Sequence, residues 1–158
     1  MNMYLEVDGW RNNIQFSAAH LIIGHKKCGR LHGHTYAVHT KIYGDRDIDG
    51  FIIDFSTIKT ILKEIANELD HKILIPEKNR FVERTENEIK ILFDNKTYIF
   101  PREDCALIPF KSSTVENLAE HILNQLIKKI ILSKNIKKIE IGVDEGFGQG
   151  AKVEKTIG

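Results

Sequence analysis

Residues 34 to 43 read HTYAVHTKIY, and this stretch alternates between apolar and polar side chains. Tyr36, Val38 and Ile42 share one face, which predicts a strand that is buried on one side. Residues 12 to 20, NNIQFSAAH, alternate in the same way and end at His20. The two stretches therefore predict two strands of a sheet that packs one face on a core.

Two longer segments have helical periodicity. Residues 56 to 69 predict a helix capped by Ser56, and a stronger helix follows Ser113, which fits a capping box with Glu116. Further strands are predicted at 137–145 and 151–157. Between the helices, EIKILFDNKTYIF predicts a hairpin that turns near residues 94–96. The order β-β-α-(hairpin)-α-β-β, with short turns that favour antiparallel pairing, predicts an α+β fold with both helices on one face of an antiparallel sheet.

The length of 158 residues favours a single domain that spans residues 1–158. The net charge is +1 with both signs mixed, so we expect neither a nucleic-acid-binding tail nor a basic membrane-binding helix. The apolar runs are too short to cross a bilayer. Because the chain has two cysteines and lacks the pattern of a signal peptide, we expect a cytoplasmic protein with both thiols reduced.

Histidines form the clearest candidate site. His32 and His34 are two residues apart and point to the same side if the strand extends back to them, with their roots about 7 Å apart. His20 ends the preceding strand with matching parity, so an antiparallel pairing would bring it alongside. Three imidazoles and one open position are typical of a catalytic zinc site. Three other histidines lack this geometry: His25, His39 and His121.

Cys28 precedes this pair in the stretch CGRLHGH and has three interpretations. It could be a fourth zinc ligand, a small buried hydrophobe or a reactive thiol beside the metal. Its basic neighbours argue against the hydrophobe, because a nearby cation favours the thiolate. They do not choose between a ligand and a base. Cys105 has apolar neighbours and is predicted to pack in the interior.

The residues around Asp70 and Glu145 by themselves indicate ordinary structural roles for these two acids. Asp70 and His71 follow the first helix, where a histidine favours the helix dipole, although a carboxylate can also orient an imidazole for proton transfer. Glu145 lies where a strand meets the turn GFGQG, which indicates a solvated turn acid. This turn is not a dinucleotide fingerprint, and the chain has no HExxH motif of a zinc peptidase.

The segments FSAAH, CGRLHGH, IIDF, LDH, STVEN and VDEG, in this order from about residue 14 to 146, resemble the 6-pyruvoyl-tetrahydropterin synthase family. Its bacterial and archaeal branch includes 6-carboxy-tetrahydropterin synthase, on the route to queuosine and archaeosine. The three residues between Cys28 and His32 are similar to that branch, whereas the pyruvoyl branch has a longer gap. This resemblance implies the tunnelling fold, in which two stacked trimers form a homo-hexamer with active sites between subunits.

The resemblance also implies a role for each site residue. Zinc ligands are matched by His20, His32 and His34. Catalytic residues are matched by Cys28 as the thiol and by Asp70 and His71 as proton-transfer partners. Pterin-binding residues are matched by Glu145, which anchors the ring, and by Thr114 and Glu116, although Glu116 could serve only as a capping residue. The chain departs from the family's compact members in a longer segment, from about residue 77 to 107.

The implied activity is a zinc-dependent lyase reaction on 7,8-dihydroneopterin triphosphate, with release of triphosphate and acetaldehyde. One alternative is the 6-pyruvoyl-tetrahydropterin synthase reaction, in which triphosphate leaves without cleavage of the side chain. A second alternative is a non-catalytic assembly protein that zinc stabilises. The expected partners are a small pterin triphosphate and other copies of the same chain.

Overall fold

The computed structural model describes all residues from 1 to 158. It contains ten strands and two α-helices, which we number in chain order: β1 (Tyr4–Val7), β2 (Gln15–His20), β3 (His32–Gly44), α1 (Phe55–Leu69), β4 (Lys72–Pro76), β5 (Val82–Arg84), β6 (Glu88–Phe93), β7 (Lys96–Pro101), β8 (Cys105–Ile108), α2 (Val115–Lys129), β9 (Ile136–Glu145) and β10 (Gly150–Thr156).

Seven strands form one sheet in the order β10-β9-β3-β2-β4-β8, and β1 pairs with part of β3. Both helices cover the face that carries Phe16, Tyr36 and Val38, and the side chains between them form the main hydrophobic core. Alternation along the strands explains this arrangement, because every second side chain of a strand points to the same face. The predicted α+β class, with two helices on one face, is confirmed.

The sheet is mixed, so the prediction of an antiparallel sheet is wrong in one part. The pairs of β2 with β3, β3 with β9 and β9 with β10 are antiparallel, as expected. β4 and β8 were not predicted, and they add parallel pairs to β2 and to each other. Strands that lie side by side in parallel need a crossover connection. Strand β3 and helix α1 together form the connection between β2 and β4, and the inserted segment forms the connection between β4 and β8.

The predicted hairpin is present as β6 and β7, which turn through Asp94 and Asn95 in left-handed backbone conformations. β5 pairs with β6, so the insertion is a three-stranded sheet of its own. Its apolar side chains form a second hydrophobic cluster, separate from the main core.

Both helix caps differ by one or two residues from the prediction. Asp54 caps α1 by accepting a hydrogen bond from the Ser56 backbone N–H at 2.6 Å, so Ser56 is not the cap. Thr114 caps α2, and its hydroxyl accepts from the Asn117 backbone N–H at 3.5 Å. Ser113 is displaced from capping because its side chain is fully buried against the ring of His20. Neither helix combines the length and the apolar content that crossing a membrane requires.

Candidate active site

Three histidine rings meet at one end of the sheet. The antiparallel pairing of β2 with β3 sets His20 opposite His32 and Ala18 opposite His34. One ligand nitrogen from each ring lies within 4.8 Å of the others. The ring centroids are 4.7 Å apart for His20 and His32, 5.0 Å for His32 and His34, and 5.3 Å for His20 and His34. Strand parity therefore brings together the three residues that the sequence singled out.

The hydrogen bonds of two of these rings, His20 and His32, leave their Nε2 atoms free to bind a cation. Nδ1 of His20 lies 2.9 Å from the Ser113 carbonyl oxygen, and Nδ1 of His32 lies 2.6 Å from the Arg30 carbonyl oxygen. A carbonyl oxygen only accepts, so both Nδ1 atoms carry the hydrogen and each Nε2 presents a lone pair. Metal-binding histidines are commonly oriented by such a bond.

Two of these nitrogens are buried without a partner. Nε2 of His20 and Nε2 of His34 make no hydrogen bond, although burying an unpaired polar atom is costly. Burial also lowers the pKa of His20, which favours the neutral imidazole that metals bind. Three imidazoles in this arrangement fit a divalent cation such as Zn²⁺.

Glu145 lies beside the histidines rather than in solvent, so the interpretation of Glu145 as a solvated turn acid is wrong. Its Oε1 is 3.3 Å from Nε2 of His34, and its side chain is 20% exposed. The two atoms do not meet the geometry of a hydrogen bond, so Nε2 of His34 has no hydrogen-bond partner. The backbone turn after β9 holds Glu145 in place: its N–H donates to the Gln149 carbonyl, and the N–H of Gly146 donates to the Thr35 carbonyl.

Tyr36 lies beneath this carboxylate and was not predicted as a site residue. It pairs with Glu145 in the register of β3 and β9 and is fully buried. Burial, and after it the Glu145 carboxylate, raises the pKa of Tyr36 above its ordinary value. The raised pKa keeps the hydroxyl protonated, and because it makes no hydrogen bond of good geometry, its donor is available. Tyr36 could have been predicted from the sequence, because it lies two residues after His34 and therefore on the same strand face.

The start of α2 borders the same site. The Ser113 carbonyl orients His20, and its hydroxyl lies 3.4 Å from the same ring nitrogen. Thr114 follows as the helix cap, and Glu116 is exposed in the first turn. Ser113 is thus the residue of the STVEN segment that touches a candidate metal ligand. The sequence pattern predicts only a capping role for Ser113, because hydrogen bonding by a backbone carbonyl does not depend on residue type.

Cys28 lies in the loop between β2 and β3 and is half-buried. Its Sγ is not among the ligand atoms that cluster within 4.8 Å, which argues against a fourth ligand. Its backbone N–H donates to Nδ1 of His25 at 2.9 Å, so His25 shapes the loop. Cys105 is 5% exposed in the second cluster, which confirms that it packs, and both thiols are free. Burial raises the pKa of Cys105 to about 11.

Asp70 and His71 form a hydrogen-bonded pair outside the histidine cluster. Oδ2 of Asp70 accepts from Nδ1 of His71 at 2.9 Å, and Oδ1 accepts from the Ser17 backbone N–H at 2.8 Å. The Ser17 N–H and then His71 lower the pKa of Asp70, which keeps it ionised. The His71 side chain is 83% exposed, and its backbone is left-handed, with φ of 57°. Within one chain, the imidazole of His71 is therefore open to solvent or to a neighbouring molecule.

An open cavity of ≈ 670 Å³ borders His71. Ser17 and Thr35 line the cavity. Ser17 precedes Ala18 on β2 and Thr35 follows His34 on β3, so the side chains of Ser17 and Thr35 point to the sheet face opposite the histidine rings. His34 and Lys72 also line it. The cavity thus reaches from His71 to one member of the histidine cluster.

Comparison with known proteins identifies the family of this chain. The model of the family described as 6-pyruvoyl tetrahydropterin synthase matches residues 10–156. A Methanocaldococcus jannaschii relative, provisionally named 6-carboxy-5,6,7,8-tetrahydropterin synthase, is 40% identical over 98% of each chain. A Haemophilus influenzae relative named 6-carboxy-5,6,7,8-tetrahydropterin synthase is 37% identical over 70% of this chain and 76% of its own. The solved Plasmodium falciparum 6-pyruvoyl tetrahydropterin synthase covers 99% of both chains with a TM-score of 0.90 and 36% identity. The chain therefore belongs to the 6-pyruvoyl tetrahydropterin synthase family.

Proposed function

We propose that residues 1–158 form one synthase domain, with an insertion at about 77–107, that acts as a zinc-dependent 6-carboxy-5,6,7,8-tetrahydropterin synthase. The substrate is 7,8-dihydroneopterin triphosphate, and the products besides the carboxypterin are triphosphate and acetaldehyde. The observation that carries this proposal is the cluster of three imidazoles with two unpaired Nε2 atoms beside the Glu145 carboxylate. The curated relatives named for this reaction and the short gap between Cys28 and His32 favour it over the pyruvoyl reaction.

Substrate binding is assigned to the residues around the cluster. The Glu145 carboxylate accepts two hydrogen bonds from the N–H edge of the pterin, which fixes the ring. Thr114 and the first turn of α2, which includes Glu116, complete the pterin pocket. The basic residues of the Cys28 loop are candidates for contact with the triphosphate: Lys26, Lys27 and Arg30.

The chemistry is divided among three groups. His20, His32 and His34 would hold zinc, which supplies a Lewis acid for the oxygens of the substrate side chain. The Cys28 thiolate removes a proton from the side-chain carbon next to the ring. His71, oriented by the ionised Asp70, passes protons to and from side-chain oxygens.

Product analysis tests this function directly. The purified zinc-loaded protein is incubated with 7,8-dihydroneopterin triphosphate, and the products are identified by mass. We expect 6-carboxy-tetrahydropterin together with equal amounts of acetaldehyde and triphosphate. Formation of 6-pyruvoyl-tetrahydropterin without acetaldehyde would show the alternative reaction. If neither product forms and no pterin binds, the alternative of a non-catalytic assembly protein is favoured.

The separation of His71 from the histidine cluster leads to a prediction about assembly. If Asp70 and His71 serve the site of an adjacent copy, Cys28→Ala and His71→Ala each inactivate the protein but affect different halves of a shared site. Dissociating and reassembling the two variants together should restore activity to about a quarter of the wild-type rate when copies mix at random. Each variant reassembled alone serves as the control. If a verified mixed oligomer recovers no activity, Cys28 and His71 of the same chain serve the same site.

A further inference from the structure

The loop that carries Cys28 is closed by its own hydrogen bonds. The Ile22 backbone N–H donates to the Cys28 carbonyl at 2.7 Å, and the Gly29 N–H donates to the His25 carbonyl at 2.9 Å. The Cys28 N–H in turn donates to the ring of His25 at 2.9 Å. Because these bonds connect both ends of the loop, its residues move together, and the position of Cys28 follows the position of the whole loop.

This loop is attached to the insertion rather than to the main core. Leu21 is 5% exposed, and its neighbours belong to the second hydrophobic cluster: Ile75, Ile89, Ile91, Phe100 and Cys105. Ile23 and Tyr98 are partly buried against the same cluster. Residues 88–101 therefore provide much of the apolar surface on which residues 21–23 pack.

The hairpin also approaches the loop at a second place, closer to Cys28. The loop and the hairpin enclose a cleft of ≈ 180 Å³ whose walls include Gly24 and Gly29 on one side and Phe93 and Tyr98 on the other. Cζ of Phe93 lies 4.0 Å from the position that a Cβ atom would take at Gly24, so the ring borders the loop at this glycine. Gly24 has a φ of +90°, a conformation that suits glycine, so the loop turns at the point where Phe93 approaches it.

We propose that the three-stranded sheet β5–β6–β7 is a positioning element for Cys28, with Phe93 and Tyr98 as its positioning residues. The hairpin fixes the loop 21–30, and the internal bonds of the loop pass this constraint to the thiol. The consequence for turnover rests on the proposed function, whereas the coupling of the hairpin to the loop does not. Displacement of a reacting group by about 1 Å can cost about a hundredfold in rate, so such support is relevant to catalysis.

The test compares three variants of the hairpin in the zinc-loaded protein. Phe93→Ala removes the ring that meets the loop, and Phe93→Leu keeps an apolar side chain there. Ile99→Ala is the matched control, because Ile99 is 54% exposed on the other face of the same hairpin. The readouts are amide hydrogen exchange, the rate at which iodoacetamide modifies Cys28, zinc content, and the separate values of kcat and KM. Burial and its raised pKa keep Cys105 from competing for iodoacetamide.

In Phe93→Ala we expect exchange at residues 22–29 to rise about tenfold while the helices stay protected. Cys28 should be modified faster, and kcat should fall about tenfold with KM changed less than about twofold, because the pterin anchors lie elsewhere. Zinc content should not change. Phe93→Leu should recover most of the loss, and Ile99→Ala should match the wild type.

Three results would overturn the proposal. The first is wild-type exchange of the loop in Phe93→Ala, and the second is an equal rise of exchange across the whole chain. The third is unchanged kcat in an active enzyme whose loop has become mobile. If the wild-type protein does not convert dihydroneopterin triphosphate, the proposed function fails, and exchange with alkylation still decides whether the hairpin holds the Cys28 loop.

Discussion

His32→Ala should lose its bound zinc and, with it, about a thousandfold in turnover, which corresponds to about 4 kcal/mol of transition-state stabilisation. The physical reason is the small number of ligands. His20 and His34 would remain as two imidazoles at the end of the sheet, and two protein ligands rarely hold a divalent cation in a catalytic site. The measurements are metal content after dialysis and the rate of product formation.

The matched control for this variant is His121→Gln, which removes an imidazole from α2, away from the cluster. It should keep both zinc and turnover. Circular dichroism would separate metal loss from unfolding, since His32 is only partly buried and its removal leaves the main core intact. Full zinc content in folded His32→Ala would rule out the three-histidine site.

Cys28→Ala should keep zinc and assembly and lose turnover by about a hundred- to ten-thousandfold, the range that a general base contributes. Zinc should stay because the thiol is not part of the ligand cluster. Cys28→Ser should also fail, since a hydroxyl is a far weaker acid than a thiol and supplies almost no anion at neutral pH. Metal analysis, size-exclusion chromatography and product formation check the three expectations. Zinc loss in Cys28→Ala would mean that the residue is a ligand and not a base.

Much of the fold was predictable because alternation and helical periodicity are local properties. The strands around Phe16, Val38 and Ile141, and both helices, follow from spacing alone. β4 and β8 were missed because KILIP and CALI are short apolar runs without alternation, and their parallel partners are distant in the chain. The helix caps were misplaced because neighbouring residues can both cap, and the ring of His20 decides that Ser113 faces inward.

The candidate site was predictable to the extent that strand parity determines it. Parity places His20, His32 and His34 together, and the structure brings them there. The contact between Glu145 and His34 depends on the pairing of β3 with β9, so the residues alone favoured the solvated interpretation. The orientation of His20 by a backbone carbonyl of the STVEN segment depends on how α2 packs on the sheet, which no local pattern reveals.

In the proposed zinc site, metal binding depends on the register of β2 and β3, because this register sets His20 opposite His32. Sliding β3 by one residue against β2 would turn both of its histidines away from His20, since side chains alternate at each position. Gly33 separates the two, and a Cβ there would come within 3.1 Å of the Ala18 carbonyl oxygen, so a larger residue would require β2 to shift by a few tenths of an ångström. For the proposed zinc site, the stoichiometry of bound zinc would then report the fraction of molecules in which β2 and β3 have paired in the correct register.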